Sequence, residues 1–227
     1  LNTYPLVCTR GVVLYPNQEI VIDVGRETSV HAVENAQDNY DKKICLFSQK
    51  ELEQENPGKE DIYPVGTLCE VRHIRRFDNF LRVKFRGIKR VKLNNWINGS
   101  LSDLAEVEIL ESEKQDAVEE EALIRMIADE LDRMQGQDRF VTKEIVMEIS
   151  KGMGGEFLSD KAVQGLPLDL ERKQKYLETL GVNDRLMMLL QDMAKEKKMS
   201  EVEQQINETV KERIDQGQKD YYLREKM

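Results

Sequence analysis

The hydrophobic period of this 227-residue chain changes at Ser112, and that change limits it to two kinds of packing joined in series. Upstream, apolar residues alternate. Leu81, Val83 and Phe85 interleave with Arg82, Lys84 and Arg86, so a strand here has one apolar and one cationic face. Gly87 breaks the phase, and Val91 and Leu93 resume it beside Arg90 and Lys92. Strands are also predicted at 20–24, 43–47, 65–77 and 104–110, and Asp78-Asn79 supplies the turn before the 80–96 ladder. One helix interrupts them at 28–39, where Val30, Val33 and Ala36 fall at helical spacing behind Thr28 or Ser29 as cap. The polar stretch 49–61, with Pro57-Gly58, reads as a loop.

Downstream, Ser112 and Gln115 have the form of a capping box, and Val118, Ala122, Met126, Ile127 and Leu131 recur at helical spacing to a stop near Gly136. Further helices are predicted at 141–150, 169–180 and 184–197, with Gly152-Met153-Gly154-Gly155 as the stop of the first. Ser200 and Glu203 form a second capping box, and 200–227 holds one glycine, Gly217, and no proline. At 1.5 Å per residue that segment is about 42 Å of helix. Its narrow stripe of Val202, Ile206, Val210, Ile214 and Tyr221 must lean on a partner. The missing initial methionine, and Met227 without a C-cap, read as a chain cut from a longer one. The expected organisation is α+β: a β-rich unit at 1–111, a helical bundle at 112–198 and a long helix at 199–227.

A net charge of −9 argues against a general nucleic-acid binder, but the charge is unevenly spread. Residues 72–92 hold nine basic residues and one acidic, whereas 101–121 hold nine acidic and one basic. The cationic face of Arg82, Lys84, Arg86, Lys89, Arg90 and Lys92 would suit phosphates. Few aromatics accompany it for base stacking, and the acidic block offers a neutralising partner. The longest apolar runs span only a few residues, so no membrane-spanning helix is expected, and residues 1–10 lack a secretory leader. Cys8, Cys45 and Cys69 are odd in number and far apart, the usage of reduced thiols in the cytoplasm.

Catalytic signatures are lacking. The Gly58-Lys59 pair has neither the upstream glycine nor the hydroxyl of a phosphate-binding loop. His31 and His73 with the three scattered cysteines make no metal-ligand spacing. Ser29 near His31 and Ser150 beside Lys151 do not sit in a nucleophile elbow. Nine methionines, among them Met187, Met188, Met193 and Met199, suit a surface that accepts varied apolar partners, with Met126 and Met188 read as core filling and Met153, flanked by glycines, as exposed.

Several segments together resemble the N-terminal region of the bacterial Lon family of ATP-dependent serine proteases. They are Pro5-Leu6 with Arg10-Gly11-Val12-Val13-Leu14-Tyr15-Pro16, then Val24-Gly25-Arg26 with Ser29 and Ala32-Val33, then Val65-Gly66-Thr67, Arg82-Val83, Gly87 and Arg90. Leu166-Pro167-Leu168 with Lys173-Gln174, Asp184-Arg185-Leu186 and the closing Asp220-Tyr221-Tyr222-Leu223-Arg224-Glu225-Lys226-Met227 complete the set. Cys8 and Thr9 depart from the family's commoner small or apolar pair.

The resemblance implies a PUA-like fold for the β-rich subdomain, then the bundle, then a helix leading toward an ATPase ring. It implies a non-catalytic module that recognises unfolded or damaged proteins and assists hexamer assembly, with dimers through this region also open. ATP and magnesium are implied only for the downstream ATPase module, with no cofactor or metal here and no membrane partner. Substrate contacts are expected at Met153, Phe157, Met187 and Leu189, and helix pairing at Val202, Ile206, Val210 and Ile214. The alternative is a nucleic-acid-binding module using the cationic face at 82–92.

Overall fold

The computed structural model describes residues 2–134 and 143–225. Six strands occur among them: β1 (Asn2–Thr9), β2 (Glu19–Val24), β3 (Lys43–Ser48), β4 (Val65–Arg76), β5 (Leu81–Ile97) and β6 (Leu104–Leu110). They form one sheet in the order β2-β5-β4-β3-β1-β6, and a further β5–β6 pairing closes five of them into a barrel. Closure is the work of β5, which is long enough to pair β2 through Leu81–Arg86 and β6 through Arg90–Ile97 along the same edge. All pairings are antiparallel except β1 with β3. The strand β1 was not anticipated, because Pro5 interrupts a short apolar run.

Helix α1 (Glu27–Asn39) packs on the barrel through Ala32, Val33 and Ala36, which join Val7, Leu46, Val83 and Phe85 in one apolar cluster. Its N-cap is Arg26, not Thr28 or Ser29, and no side chain caps it. A second cluster inside the barrel unites Phe47, Leu68, Val91, Leu93 and Val107.

Gly87 shows why the alternation shifts. A Cβ there would stand 2.1 Å from the Tyr15 carbonyl oxygen, so only glycine lets the loop after β1 cross β5. The loop is pinned by Asn17 N–H to the Gly87 carbonyl and Gly87 N–H to the Gln18 carbonyl, both 2.9 Å. The β4–β5 register slips between Leu68 and Cys69, beside this crossing. Beyond it, Arg90 leaves the solvated row of Arg82, Lys84 and Arg86, and only 2% of it remains exposed.

Five helices follow among the described residues: α2 (Ala117–Met134), α3 (Lys143–Ser150), α4 (Gly155–Gly165), α5 (Leu170–Glu178) and α6 (Val182–Glu225). The fold is therefore α+β, a barrel followed by a helical bundle and a long helix. Local details differ from expectation. Asp116 caps α2 by accepting the Glu119 N–H at 2.7 Å, in place of Ser112. Gln115 instead accepts the Asn183 N–H at 2.9 Å and so caps α6.

Gly152, at φ +89°, does end α3, but Gly154 is the N-cap of α4, a helix the glycine-rich sequence concealed. Ser200 begins nothing: α6 runs through it, so the division placed at 198/199 falls inside one continuous helix. No glycine or proline lies between Val182 and Gly217 to stop it. The expected boundaries at Gly136 and Val141, the Tyr221 side chain and Met227 lie outside the described residues.

The bundle core gathers Leu123, Ile127 and Leu131 of α2, Leu158 and Val163 of α4, Tyr176 and Leu177 of α5, and Leu186, Leu189 and Met193 of α6. Val13 and Tyr15, from the loop after β1, enter the same core. At about 1.5–3 kcal/mol for each large apolar side chain, burial of Val13 and Tyr15 there helps hold bundle to barrel. The Tyr15 hydroxyl also donates to the Lys173 carbonyl at 2.7 Å, and the Gln174 amide to the Val65 carbonyl at 2.8 Å.

Candidate functional site

The four expected substrate contacts do not form one patch. Leu189 is fully buried, one turn from Leu186 and Met193 on the face of α6 that meets the bundle core, so it cannot serve as a surface contact. Met153, expected to be exposed, is half-buried against that core. Phe157 is half-buried too, with Lys161 Nζ 6.0 Å from its ring centroid. Met187, on another face of α6 from Leu189, is 39% exposed.

The open apolar surface lies elsewhere. Met126, read as core filling, is 56% exposed at a groove of about 700 Å³ between α2 and α6. Leu190 and Ala194 also line it, together with both signs of charge from Asp129, Glu130, Arg133, Lys197 and Lys198. Lys197 reaches across the groove to Glu130 at 3.0 Å. The sequence did not separate the two residues: Met126 and the buried Ile127 are about 100° apart on α2 and both fit a wide apolar stripe, so only the packing decides which is covered. Met188 does pack against the core. Farther along α6, Val202, Ile206, Val210 and Ile214 form a stripe at four-residue spacing, each between 42% and 57% exposed.

The cationic face is largely answered by carboxylates of the chain itself. Arg82 holds Asp23 through two hydrogen bonds of 2.7 and 2.8 Å, Lys84 holds Glu19 at 2.6 Å and Lys89 holds Glu111 at 2.8 Å. Hydrogen bonds from these cations keep the Glu19 and Asp23 carboxyls below their usual range. Lys92 stands opposite Glu108 in register. At the β4–β5 turn, Phe77 and Phe80 stack at 4.7 Å, with the Arg82 guanidinium over both rings.

Arg90, expected on that face, instead forms the buried junction between barrel and bundle. It donates to both Asp160 oxygens, at 2.5 and 2.9 Å, and to the Leu177 carbonyl at 3.1 Å. Arg185 lies behind, bound to Ser159 Oγ at 3.1 Å and the Thr179 carbonyl at 2.9 Å. Burial, with Arg90 nearby, pulls its guanidinium down to about 10, still charged at neutral pH. Each guanidinium nitrogen of Arg90 and Arg185 has a partner inside the fold, so the cluster holds the molecule together.

Among the described residues no group of His, Cys, Asp and Glu could hold a metal ion. No described helix is long and apolar enough to cross a membrane. Burial pushes the Cys8 thiol up to about 12 and those of Cys45 and Cys69 higher still, so none is a ready nucleophile.

Known proteins share this sequence and this architecture. Residues 3–195 match the family model of the ATP-dependent protease La (LON) substrate-binding domain. The chain is 33% identical over 224 residues to the Lon protease of Brevibacillus choshinensis, and 32% identical over 224 residues to that of Escherichia coli strain K12. Each alignment takes in 98% of the chain, which spans 29% and 28% of the length of these relatives. The match is to the substrate-binding part of the protease, and the ATPase and serine protease parts are not within these 227 residues.

In fold, the N-terminal domain of the Mycobacterium avium complex Lon protease superposes with a TM-score of 0.69 over 85% of the chain and 98% of that domain, at 17% identity. The Xanthomonas campestris Lon N-terminal domain protein gives 0.59 over 84% and 98%, at 16% identity. Barrel, bundle and sequence match agree: this chain belongs to the LON substrate-binding domain family.

Proposed function

We propose that this module holds unfolded or damaged protein segments weakly, at the α2–α6 groove and neighbouring exposed methionines, and presents them to the ATPase part of a Lon-type protease. The groove carries this reading: Met126, Leu190 and Ala194 offer apolar surface, while charges of both signs around them tolerate varied sequences. Met187 belongs with this surface, and Met153 and Phe157 contribute through their half-exposed edges. Weak single sites gain strength when several copies are linked in a ring.

The stripe of Val202, Ile206, Val210 and Ile214 then pairs α6 with a neighbouring subunit and assists hexamer assembly. Replacing Ile206 and Ile214 by Asp should abolish pairing in sedimentation velocity, and an unchanged oligomer mass would count against it. ATP and magnesium belong to the ATPase part of the whole protease, no cofactor is assigned here, and the three unbonded cysteines favour the cytoplasm. Nucleic acid is the weaker reading, because four of the six cations of β5, Arg82, Lys84, Lys89 and Arg90, already have carboxylate partners.

The test is a titration of a labelled, permanently unfolded protein with the 227-residue chain, followed by fluorescence anisotropy. Saturable binding that survives moderate salt and weakens several-fold in Met126→Glu is expected. Binding untouched by Met126→Glu would remove the groove from the reading, and binding abolished by moderate salt would favour an electrostatic ligand.

A further inference from the structure

Two turns, Arg10-Gly11 after β1 and Gly25-Arg26 before α1, meet beside a cavity of about 380 Å³, at the small end of ligand-sized sites. Val12, Ile22 and Val24 give it apolar lining, and Arg10, Arg26 and Ser29 give it polar lining together with Asp23, whose two carboxylate oxygens are held by Arg82. The two guanidiniums are held without being neutralised. Arg26 donates to Gln49 Oε1 at 2.5 Å and to the Gln54 carbonyl at 3.2 Å, and Arg10 reaches that carbonyl at 3.4 Å. Neither has a carboxylate within 4 Å among the described residues. Burial, and then the charge of Arg10, lower the pKa of Arg26, against a smaller opposing pull from Cys8 and Glu55.

Ser29 adds an independent observation. It is only 7% exposed, and its hydroxyl has no hydrogen-bond partner among the described residues. It lines both this cavity and a smaller opening of about 130 Å³ that Arg26 also lines. The 13-residue helix α1 starts here with no side chain capping it, so its first N–H groups are also free to donate to an anion.

We propose that this cavity captures the C-terminal carboxylate of a protein chain, gripped by Arg10, Arg26 and Ser29, with the terminal side chain against Val12, Ile22 and Val24. The assignment rests on the substrate-binding reading and narrows it to a class of substrate end. A chain terminus presents its carboxylate and an apolar side chain from one Cα, matching a cavity with both cationic and apolar lining. A phosphate would leave the apolar lining unused. A dianion would also be opposed by Glu55 and Asp103, which line the neighbouring opening.

The test compares two short fluorescent peptides of one sequence ending in valine, one with a free α-carboxylate and one amidated, binding to the 227-residue chain. The acid should bind about tenfold tighter or more, because a charge-assisted hydrogen bond is lost with the carboxylate. Arg26→Gln should bring the two peptides within about twofold of each other. Ser29→Ala, whose hydroxyl has no internal partner to lose, should reduce the preference while the fold is kept.

Equal affinity for acid and amide on the unaltered chain would overturn the assignment. So would an amidated peptide with an internal glutamate that binds as tightly as the acid. An unfolded protein with a blocked C-terminus reports separately on the groove. If it fails to bind while the acid preference persists, the groove reading falls and the cavity stands. If it binds while the acid preference is absent, the cavity falls and the groove stands.

Discussion

Strand β5 carries two arginines eight residues apart, and each grips an aspartate with two hydrogen bonds. Arg82 and Asp23 remain about half exposed, whereas Arg90 and Asp160 are sealed, at 1% and 2% side-chain exposure. The chemistry is the same and the consequences differ. Water competes for the first pair and screens it, so its net contribution is small. The second pair has lost its water on both sides, so each member is held in place by what happens to the other if it is left alone. The first pair dresses a sheet surface, and the second joins a barrel to a bundle.

Asp160→Ala should have the largest effect, because it strands the Arg90 and Arg185 guanidiniums in the interior, at a cost of about 3–5 kcal/mol. Urea denaturation monitored by circular dichroism measures it, and a loss no greater than that of Asp23→Ala would break the comparison. The double replacement Arg90→Met with Asp160→Leu should be less damaging than Asp160→Ala alone, since no stranded partner remains on β5.

Alkaline pH extends the contrast to buried acids. Burial raises the Cys8 thiol from 9.0 to about 12, and raises Cys45, Cys69, Tyr15 and Tyr176 as well. Above pH 9 the unfolded thiols lose their protons while the folded ones keep them, so the unfolded state binds fewer protons and stability falls as pH rises. The thermal midpoint should drop progressively from pH 9 upward. A flat profile to pH 10.5 would show that the thiols are better solvated than their burial implies.

Tyr176→Phe is the intermediate case. Its hydroxyl donates to Asp192 at 2.7 Å, and Arg172 also holds that carboxylate at 2.8 Å, so one partner survives and the loss should be about 1–2 kcal/mol. Asp23→Ala is the smallest, with no shift in urea midpoint beyond measurement error and no added salt sensitivity. A clear loss there would mean that the Phe77–Phe80 stack under Arg82 depends on the pair.

Local patterns were legible in advance. The alternation through Leu81, Val83 and Phe85, the strand at 104–110 and the helix at 28–39 needed only neighbours two to four residues away. What failed had non-local causes. Arg90 carried the same pattern as Arg86, and its burial depends on Asp160, 70 residues later, on a helix flanked by glycines at one end and Leu166-Pro167 at the other. Leu189 and Met187 were both apolar residues of one helix, and only the positions of α2 and α4 decide which is covered. Ser112 and Gln115 matched a cap motif but serve other elements, bonding Glu156 and the start of α6.

By itself the sequence determined the switch from period two to period 3.6 near Ser112 and the want of catalytic signatures. It also carried the segments that mark the family. Only the tertiary structure decided which arginine is buried, which methionine is open and that Arg10, Arg26 and Ser29 meet at one cavity. The reason is physical: backbone periodicity is set by neighbours along the chain, whereas burial and charge pairing are set by whatever the fold brings from far away.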